Sequence, residues 1–155
     1  MKAPYHLLIA LRSDETILVV GGGSLAERKI ATLLEAGCRP LVVSPAITDN
    51  LRQLLERDLF DWQPRKVERE DFTRRRLVLL ALPPAETDRV LPWARQSGCL
   101  VNAASRSDEG DWALLAQFNA AGCRIGIGTG GTDPAKARRL KNEVLRHLAE
   151  NEVKS

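Results

Sequence analysis

Six consecutive residues, Gly21-Gly22-Gly23-Ser24-Leu25-Ala26, have the types and spacing needed to hold a diphosphate. They fit the G-x-G-x-x-G/A pattern of dinucleotide-binding loops. In that pattern Gly21 makes the tight turn, Gly23 lets a pyrophosphate approach the backbone, and Ala26 lets helix and strand pack closely. The chemistry is electrostatic, because unpaired N–H groups and the helix dipole at a helix start attract an anion. A glycine run after a strand is also a plain turn, so the flanks must decide.

The flanks are in register with the motif. Ile17–Val20 is an unbroken apolar run, as a strand buried on both faces requires. Ser24 and Glu27 have capping-box spacing, and Ile30, Leu33 and Leu34 give the following helix one apolar face. Gly37 supplies a left-handed stop. A strand, a phosphate loop and a helix are therefore expected, and with them a dinucleotide site.

The same alternation continues. Leu41–Val43 reads as a second strand ending at Ser44-Pro45, and Leu51, Leu54 and Leu55 mark a second helix. NAD-selective sites usually carry an acid ~20 residues past the glycines, for the ribose 2′-OH. Ser44 stands there, and a hydroxyl does not repel a 2′-phosphate, so NAD and NADP both remain open. Asp61–Val67 is a short polar strand suited to an edge. Leu77–Ala81 is another buried strand, followed by a helix over Glu86–Gln96 and a strand over Cys99–Asn102. Strands alternating with helices predict a parallel α/β sheet whose ligands bind beyond the carboxyl ends of its strands. Gly21–Leu25, Ser44-Pro45-Ala46, Leu82-Pro83 and Asn102–Arg106 would then surround one crevice.

After Arg106 the rhythm changes. Trp112–Phe118 and Arg124–Gly128 read as two strands joined at Asn119–Gly122, and Asp133-Pro134 opens a closing helix striped by Leu140, Val144 and Leu148. The fold class expected is α/β, a Rossmann-like parallel sheet followed by a C-terminal hairpin-plus-helix dimerisation segment. The domain division expected is 1–106 for the dinucleotide and 107–155 for dimerisation.

Composition narrows the partners. The 155 residues suffice for one ordinary core, with 44% hydrophobic and 5% aromatic content. No apolar run approaches the ~20 residues of a membrane helix, and the start lacks a cleavage pattern, so a cytoplasmic protein is expected. The net charge of +3 is too mild to imply nucleic acid, and Arg74-Arg75-Arg76 reads as a solvated turn. Three dispersed cysteines, Cys38, Cys99 and Cys123, offer neither a disulfide framework nor a zinc motif and read as small buried residues at strand starts. His6 and His147 have no ligand spacing, so no metal site is expected.

Three segments resemble one family, the precorrin-2 dehydrogenases, whose bifunctional members are also sirohydrochlorin ferrochelatases and form the N-terminal part of siroheme synthase. GGGSLAERKIATLLEAG with LVVSP is similar to the family's glycine-loop signature, the run ending in Val101-Asn102 to the strand before its active-site loop, and IGTGGTDPAKARRL to its S-T-G-G-x-S-P motif. The resemblance covers about Tyr5 to Leu148. It implies a homodimer that oxidises precorrin-2 to sirohydrochlorin with NAD⁺ in siroheme or related tetrapyrrole synthesis. It further implies cofactor contacts at Gly21, Gly22, Gly23, Ser24, Leu25, Ser44, Pro45, Ala46, Leu82, Pro83 and Asn102. A substrate bearing many carboxylates would meet Ser105, Arg106, Thr129, Gly130, Gly131 and Arg138.

The chain departs from the family at two points. The family has an aspartate three residues past the asparagine, and here that residue is Ser105, so no catalytic residue is assigned. Asp108 and Asp111 are the loop acids that follow it. The family's helical domain is also absent from these residues. The expectation is thus dehydrogenation without iron insertion. The alternative is a non-catalytic NAD- or tetrapyrrole-binding homolog acting as a regulator or partner subunit.

Overall fold

A computed structural model describes residues 16–152 except Ala121 and Gly131. The apolar patch expected at Leu7–Leu11, and His6, lie outside the described residues. The described chain divides into two compact units, one running to Ala113 and the other starting at Leu114.

The first unit is built on short strands of nearly pure aliphatic residues. β1 (Leu18–Val20), β2 (Leu41–Val43), β3 (Asp61–Gln63), β4 (Leu77–Leu80) and β5 (Leu100–Ala103) form a parallel sheet of order β3-β2-β1-β4-β5. Every residue of β1 and β4 is buried, because helices cover both faces of a parallel sheet. One face carries Leu18, Val20, Val43, Val78, Leu80, Val101 and Ala103, which pack with Phe72, Val90, Leu91 and Ala94. The alternate positions Val19, Val42, Leu79 and Asn102 fall on the other face.

The connecting helices are α1 (Ser24–Glu35), α2 (Asp49–Glu56) and α3 (Pro84–Gln96). α1 buries Ala26, Ile30 and Leu33, with Leu34 half-buried, and the chain leaves it through Gly37 at φ +81°. Pro84 opens α3 as the first helical residue, where its missing N–H costs nothing. The strand order reverses between β1 and β4, and that is where open sheets of this kind form a ligand crevice.

β3 is an edge strand, as its polarity suggests, but it ends at Gln63 rather than Val67. Pro64 has no N–H for the ladder, and the Arg65 N–H turns back to the Gln63 carbonyl at 2.9 Å. Arg74-Arg75-Arg76 does form a turn, with Arg74 at φ +60°. Of the cysteines only Cys99 is buried, while Cys38 is half-buried and Cys123 is exposed. The reading of all three as buried residues fails because β7 has no covered face at its first residue.

In the second unit, β6 (Ala116–Ala120) and β7 (Cys123–Ile127) pair antiparallel, and α4 (Pro134–Glu152) packs on both. The hairpin thus begins four residues later than Trp112. Trp112 belongs to the first unit, where its indole Nε1 donates to the Leu100 carbonyl at 3.0 Å. Asp133 caps α4 by accepting from the Lys136 N–H at 2.8 Å.

The turn after β1 is the tightest place in the fold. A Cβ on Gly22 would lie 2.2 Å from the Ala46 carbonyl oxygen and 2.9 Å from both Ile47 Cγ2 and Ser44 Oγ. Gly22→Ala should therefore lower unfolding stability by ~1–3 kcal/mol or more. A urea midpoint that falls at unchanged m-value would show this. Gly23→Ala, with nothing within 4 Å of its added carbon, should cost under ~1 kcal/mol.

Candidate functional site

The glycine loop is held from three sides. The Gly21 N–H donates to the Val43 carbonyl at 3.0 Å, the Thr48 N–H donates to the Gly22 carbonyl at 3.0 Å, and the Ala81 N–H donates to the Val20 carbonyl at 2.8 Å. Gly21 sits at φ +113°, and a Cβ there would stand 2.4 Å from the Ala81 oxygen. Gly21 and Gly22 are thus buried structural glycines, whereas Gly23 and Ser24 are exposed and Leu25 is half-buried.

The capping box expected from Ser24 and Glu27 is not formed. Gly23 is the N-cap of α1, no side chain caps it, and Ser24 is the first helical residue. Glu27 accepts instead from Thr48 Oγ1 at 2.5 Å and Asn50 Nδ2 at 2.8 Å, tying α1 to the loop after β2. The first N–H groups of a helix have no intrahelical partner. Here a Cβ on the Gly23 cap would meet nothing within 4 Å, and the Glu27 carboxylate is turned to Thr48 and Asn50. This cradle fits a pyrophosphate.

At the end of β2, Ser44 is buried and its hydroxyl donates to the Ala46 carbonyl at 2.7 Å. Its own carbonyl accepts from the Trp62 indole at 2.9 Å. Ser44 therefore keeps only acceptor lone pairs for a ribose, while Pro45 and Ala46 are exposed beside it. The position that carries an acid in NAD-selective sites holds Ser44 here, and residues 44–46 bear no carboxylate.

Across the strand-order reversal, Leu82 is half-buried and Pro83 exposed at the end of β4. The Ala104 N–H donates to the Leu80 carbonyl at 2.9 Å, setting the loop after β5 alongside. Asn102 is buried within β5, and Ser105 and Arg106 are half-buried just past it. Arg106 grips Asp88 of α3 through Nε at 3.0 Å and Nη2 at 2.6 Å. That pair holds the guanidinium pKa above its usual value and compensates the charge expected to meet substrate carboxylates. Asp111 accepts from the Val101 N–H at 2.9 Å, a strand-edge role, and Asp108 is exposed in the short turn after Arg106.

Sequence reasoning missed Thr87 and Thr48. Thr87 is fully buried, and its Oγ1 lies 3.0 Å from Ser105 Oγ. Its signal was available, since Thr87 occupies the first place of the buried stripe Thr87, Val90, Leu91, Ala94. Thr48 caps α2 through the Leu51 N–H at 3.3 Å while it bonds Glu27.

The other expected residues lie in the second unit. Thr129 accepts from Thr132 Oγ1 through its carbonyl at 2.6 Å and from the Asp133 N–H through Oγ1 at 3.1 Å. Gly130 takes φ +63°, and Gly131 lies outside the described residues. An open cleft of about 450 Å³ beside this turn is lined by Thr129, Thr132, Asp133, Lys136 and Leu140 among others. Arg138 is exposed on α4 and does not line it, so the cleft's cation is Lys136.

The Glu27 contact makes stability depend on pH. The Thr48 hydroxyl, and then the Asn50 amide, hold the Glu27 carboxyl below the usual carboxylate range. A depressed folded pKa contributes stability above the unfolded value of ~4.3, and that contribution is lost as pH falls through the folded pKa. Urea unfolding across pH 6 to 3 should show stability falling in acid, less steeply in Glu27→Gln. Identical slopes would mean that the contact adds nothing.

Comparison with known proteins agrees with this geometry. Residues 8–116 match a family described as "Putative NAD(P)-binding". Siroheme synthase 1 of Aeromonas salmonicida is 32% identical over 141 residues, which cover 90% of this chain and 30% of that protein. Precorrin-2 dehydrogenase of Bacillus subtilis is 23% identical over 91% of this chain and 85% of its own length. A solved structure titled SirC, precorrin-2 dehydrogenase, superposes with a TM-score of 0.76 at 24% identity, covering 90% of this chain and 68% of that one. The chain thus spans under a third of the siroheme synthase it matches. It belongs to the NAD(P)-binding family, and the resemblance carried by its three motifs is matched by these relatives.

Proposed function

We propose that this member of the NAD(P)-binding family binds NAD⁺ at the carboxyl ends of its parallel strands and oxidises precorrin-2 to sirohydrochlorin. The observation that carries the reading is the Gly23 cradle, an uncapped helix start with nothing within 4 Å of a Cβ placed there. Bound NAD⁺ would supply the hydride acceptor. Oxidation of precorrin-2 to sirohydrochlorin would remove one hydride, taken up by NAD⁺ to give NADH, and release one proton. Gly23, Ser24 and Leu25 would receive the diphosphate, Ser44–Ala46 the adenosine ribose, and Leu82, Pro83 and Asn102 the nicotinamide half. Ser105 and Arg106 are proposed on the substrate side of this unit. Thr129, Gly130, Gly131 and Arg138 are retained as proposed substrate contacts from the family motif, and NADP is not excluded at Ser44.

Anaerobic incubation with precorrin-2 and NAD⁺ should develop the sirohydrochlorin spectrum together with NADH absorbance. Absence of both would sink the enzyme reading. Gly23→Asp should fold normally yet lose dinucleotide binding by clash and charge repulsion. Unchanged NAD⁺ affinity by calorimetry would move the site elsewhere. A second reading, a non-catalytic NAD- or tetrapyrrole-binding homolog acting as a regulator or partner subunit, is favoured by Ser105 at the place of the family's aspartate. It predicts NAD⁺ and tetrapyrrole binding without turnover in the same assay.

Residues 1–106 are proposed as the dinucleotide-binding part of a cytoplasmic protein and 107–155 as its dimerisation segment. Among the described residues no helix is long and apolar enough to cross a membrane. In α4, Leu140 is 43% exposed and Val144, Leu145 and Leu148 are only half-buried, an apolar surface suited to a second copy of the chain. Light scattering at micromolar concentration should give twice the 17.1 kDa chain mass, and a monomer there would refute the dimer.

A further inference from the structure

Thr87 carries a hydrogen-bond relay whose direction is fixed by chemistry. Its Oγ1 lies 3.2 Å from the Leu82 carbonyl oxygen and 3.0 Å from the Ser105 hydroxyl oxygen. A carbonyl only accepts, and a threonine hydroxyl has a single hydrogen to give. Both contacts are hydrogen bonds in only one arrangement: Thr87 donates to Leu82, and Ser105 donates to Thr87. Thr87 itself is fully buried, so its hydroxyl has these two protein partners rather than bulk water. The Ser105 hydrogen is thereby pinned inward, and the half-buried Ser105 oxygen presents lone pairs alone to its surroundings.

The relay joins the two loops that flank the crevice. Leu82 follows β4, Ser105 follows β5, and those strands are paired through Leu80 and Ala103. Beside Ser105, Asp88 already engages Arg106 at 2.6 Å and 3.0 Å. This point of the crevice therefore offers an acceptor next to a compensated charge. A substrate carboxylate placed there would set oxygen against oxygen, whereas an N–H would complete the relay.

We infer that Thr87 is a positioning residue that makes Ser105 a one-way acceptor, so that this site takes a ring N–H of its substrate and not a carboxylate. The inference deepens the tetrapyrrole reading and rests on it. Such a substrate has N–H groups at the centre of its macrocycle and carboxylates at the rim, and Ser105 reads the centre. The relay also links cofactor and substrate sides, since the carbonyl that orients Thr87 belongs to the Leu82-Pro83 loop.

The test compares the wild type with Thr87→Val, Thr87→Ser and Ser105→Ala, using anaerobic sirohydrochlorin titrations in the presence of NAD⁺ and steady-state rates with precorrin-2. Thr87→Val keeps the shape and removes the hydroxyl, and Ser105→Ala removes the acceptor. Each should weaken sirohydrochlorin binding and raise KM for precorrin-2 roughly three- to tenfold, the worth of one hydrogen bond. kcat and NAD⁺ affinity should change less than twofold, and Thr87→Ser should restore the wild-type values. Folded Thr87→Val and Ser105→Ala proteins with unchanged tetrapyrrole affinity would overturn the inference. So would a folded Thr87→Ser that fails to recover, because the methyl group would then be what matters. Should Thr87→Val not fold, Ser105→Ala and Thr87→Ser decide alone. A wild type that binds sirohydrochlorin, shows these variant effects and never oxidises precorrin-2 would leave the inference standing and remove the activity. A wild type that binds no tetrapyrrole would remove both.

Discussion

The structure of the first unit depends on a backbone contact at the end of β1. Gly21 and Gly22 pass so close to the Ala81 and Ala46 carbonyls that any side chain carbon would stand 2.4 Å or 2.2 Å from them. Without a Cβ the turn fits between the loops that follow β2 and β4, and the three strand ends finish level. The ladder then continues past the strands, from the Gly21 N–H to Val43 and from the Ala81 N–H to Val20. The strand order reverses beside this turn, where open sheets of this kind bind their ligands. Gly23 plays the opposite part, because nothing packs on it and its side is left for a ligand.

Several charged side chains of this unit are engaged with one another or with neutral partners. Glu27 takes Thr48 and Asn50, Arg106 takes Asp88, and Arg65 takes Asp71 in a two-point ion pair at 2.6 Å and 2.8 Å. The start of α1 offers an anion N–H groups that are fixed by the fold. Such dipoles need no reorganisation when a diphosphate arrives, unlike the long side chain of a lysine or arginine. The same pairing explains why Arg106, an attractive cation in the sequence, is a poor candidate for a strong carboxylate clamp. Its Nε and Nη2 already hold Asp88.

The sheet was legible because burial on both faces writes itself as runs such as Leu18–Val20 and Leu77–Leu80. Periodicity reports which side of an element is covered, and it does not report the partner of a polar group. Ser24 and Glu27 had capping-box spacing, yet the helix starts one residue earlier at its cap and Glu27 reaches a loop 21 residues away in sequence. The polar run Asp61–Val67 reads as one strand, but Pro64 has no N–H for the ladder and β3 ends at Gln63. Trp112 reads as the start of a β-strand in the hairpin, but its indole nitrogen closes the edge of β5 instead. For Glu27 and Trp112 a long-range hydrogen bond overrode a local pattern, and at the end of β3 a proline did.

The two banks of the crevice differ in how their chemistry is encoded. At the glycine loop the surface is offered by backbone, so only residues that lack side chains, or keep them out of the way, are demanded. That demand is visible as three consecutive glycines. On the other side the geometry is set by hydroxyls, with Thr87 buried in a helix stripe between apolar neighbours and Ser105 in a loop. A threonine in such a stripe reads as ordinary packing until its partners are seen in three dimensions. The Ser105 hydroxyl is likewise uninformative until the direction of its hydrogen is known. A carboxylate at that place would have brought its own charge and could have received a proton. A serine held by Thr87 can do neither, and its contribution is confined to accepting a hydrogen bond.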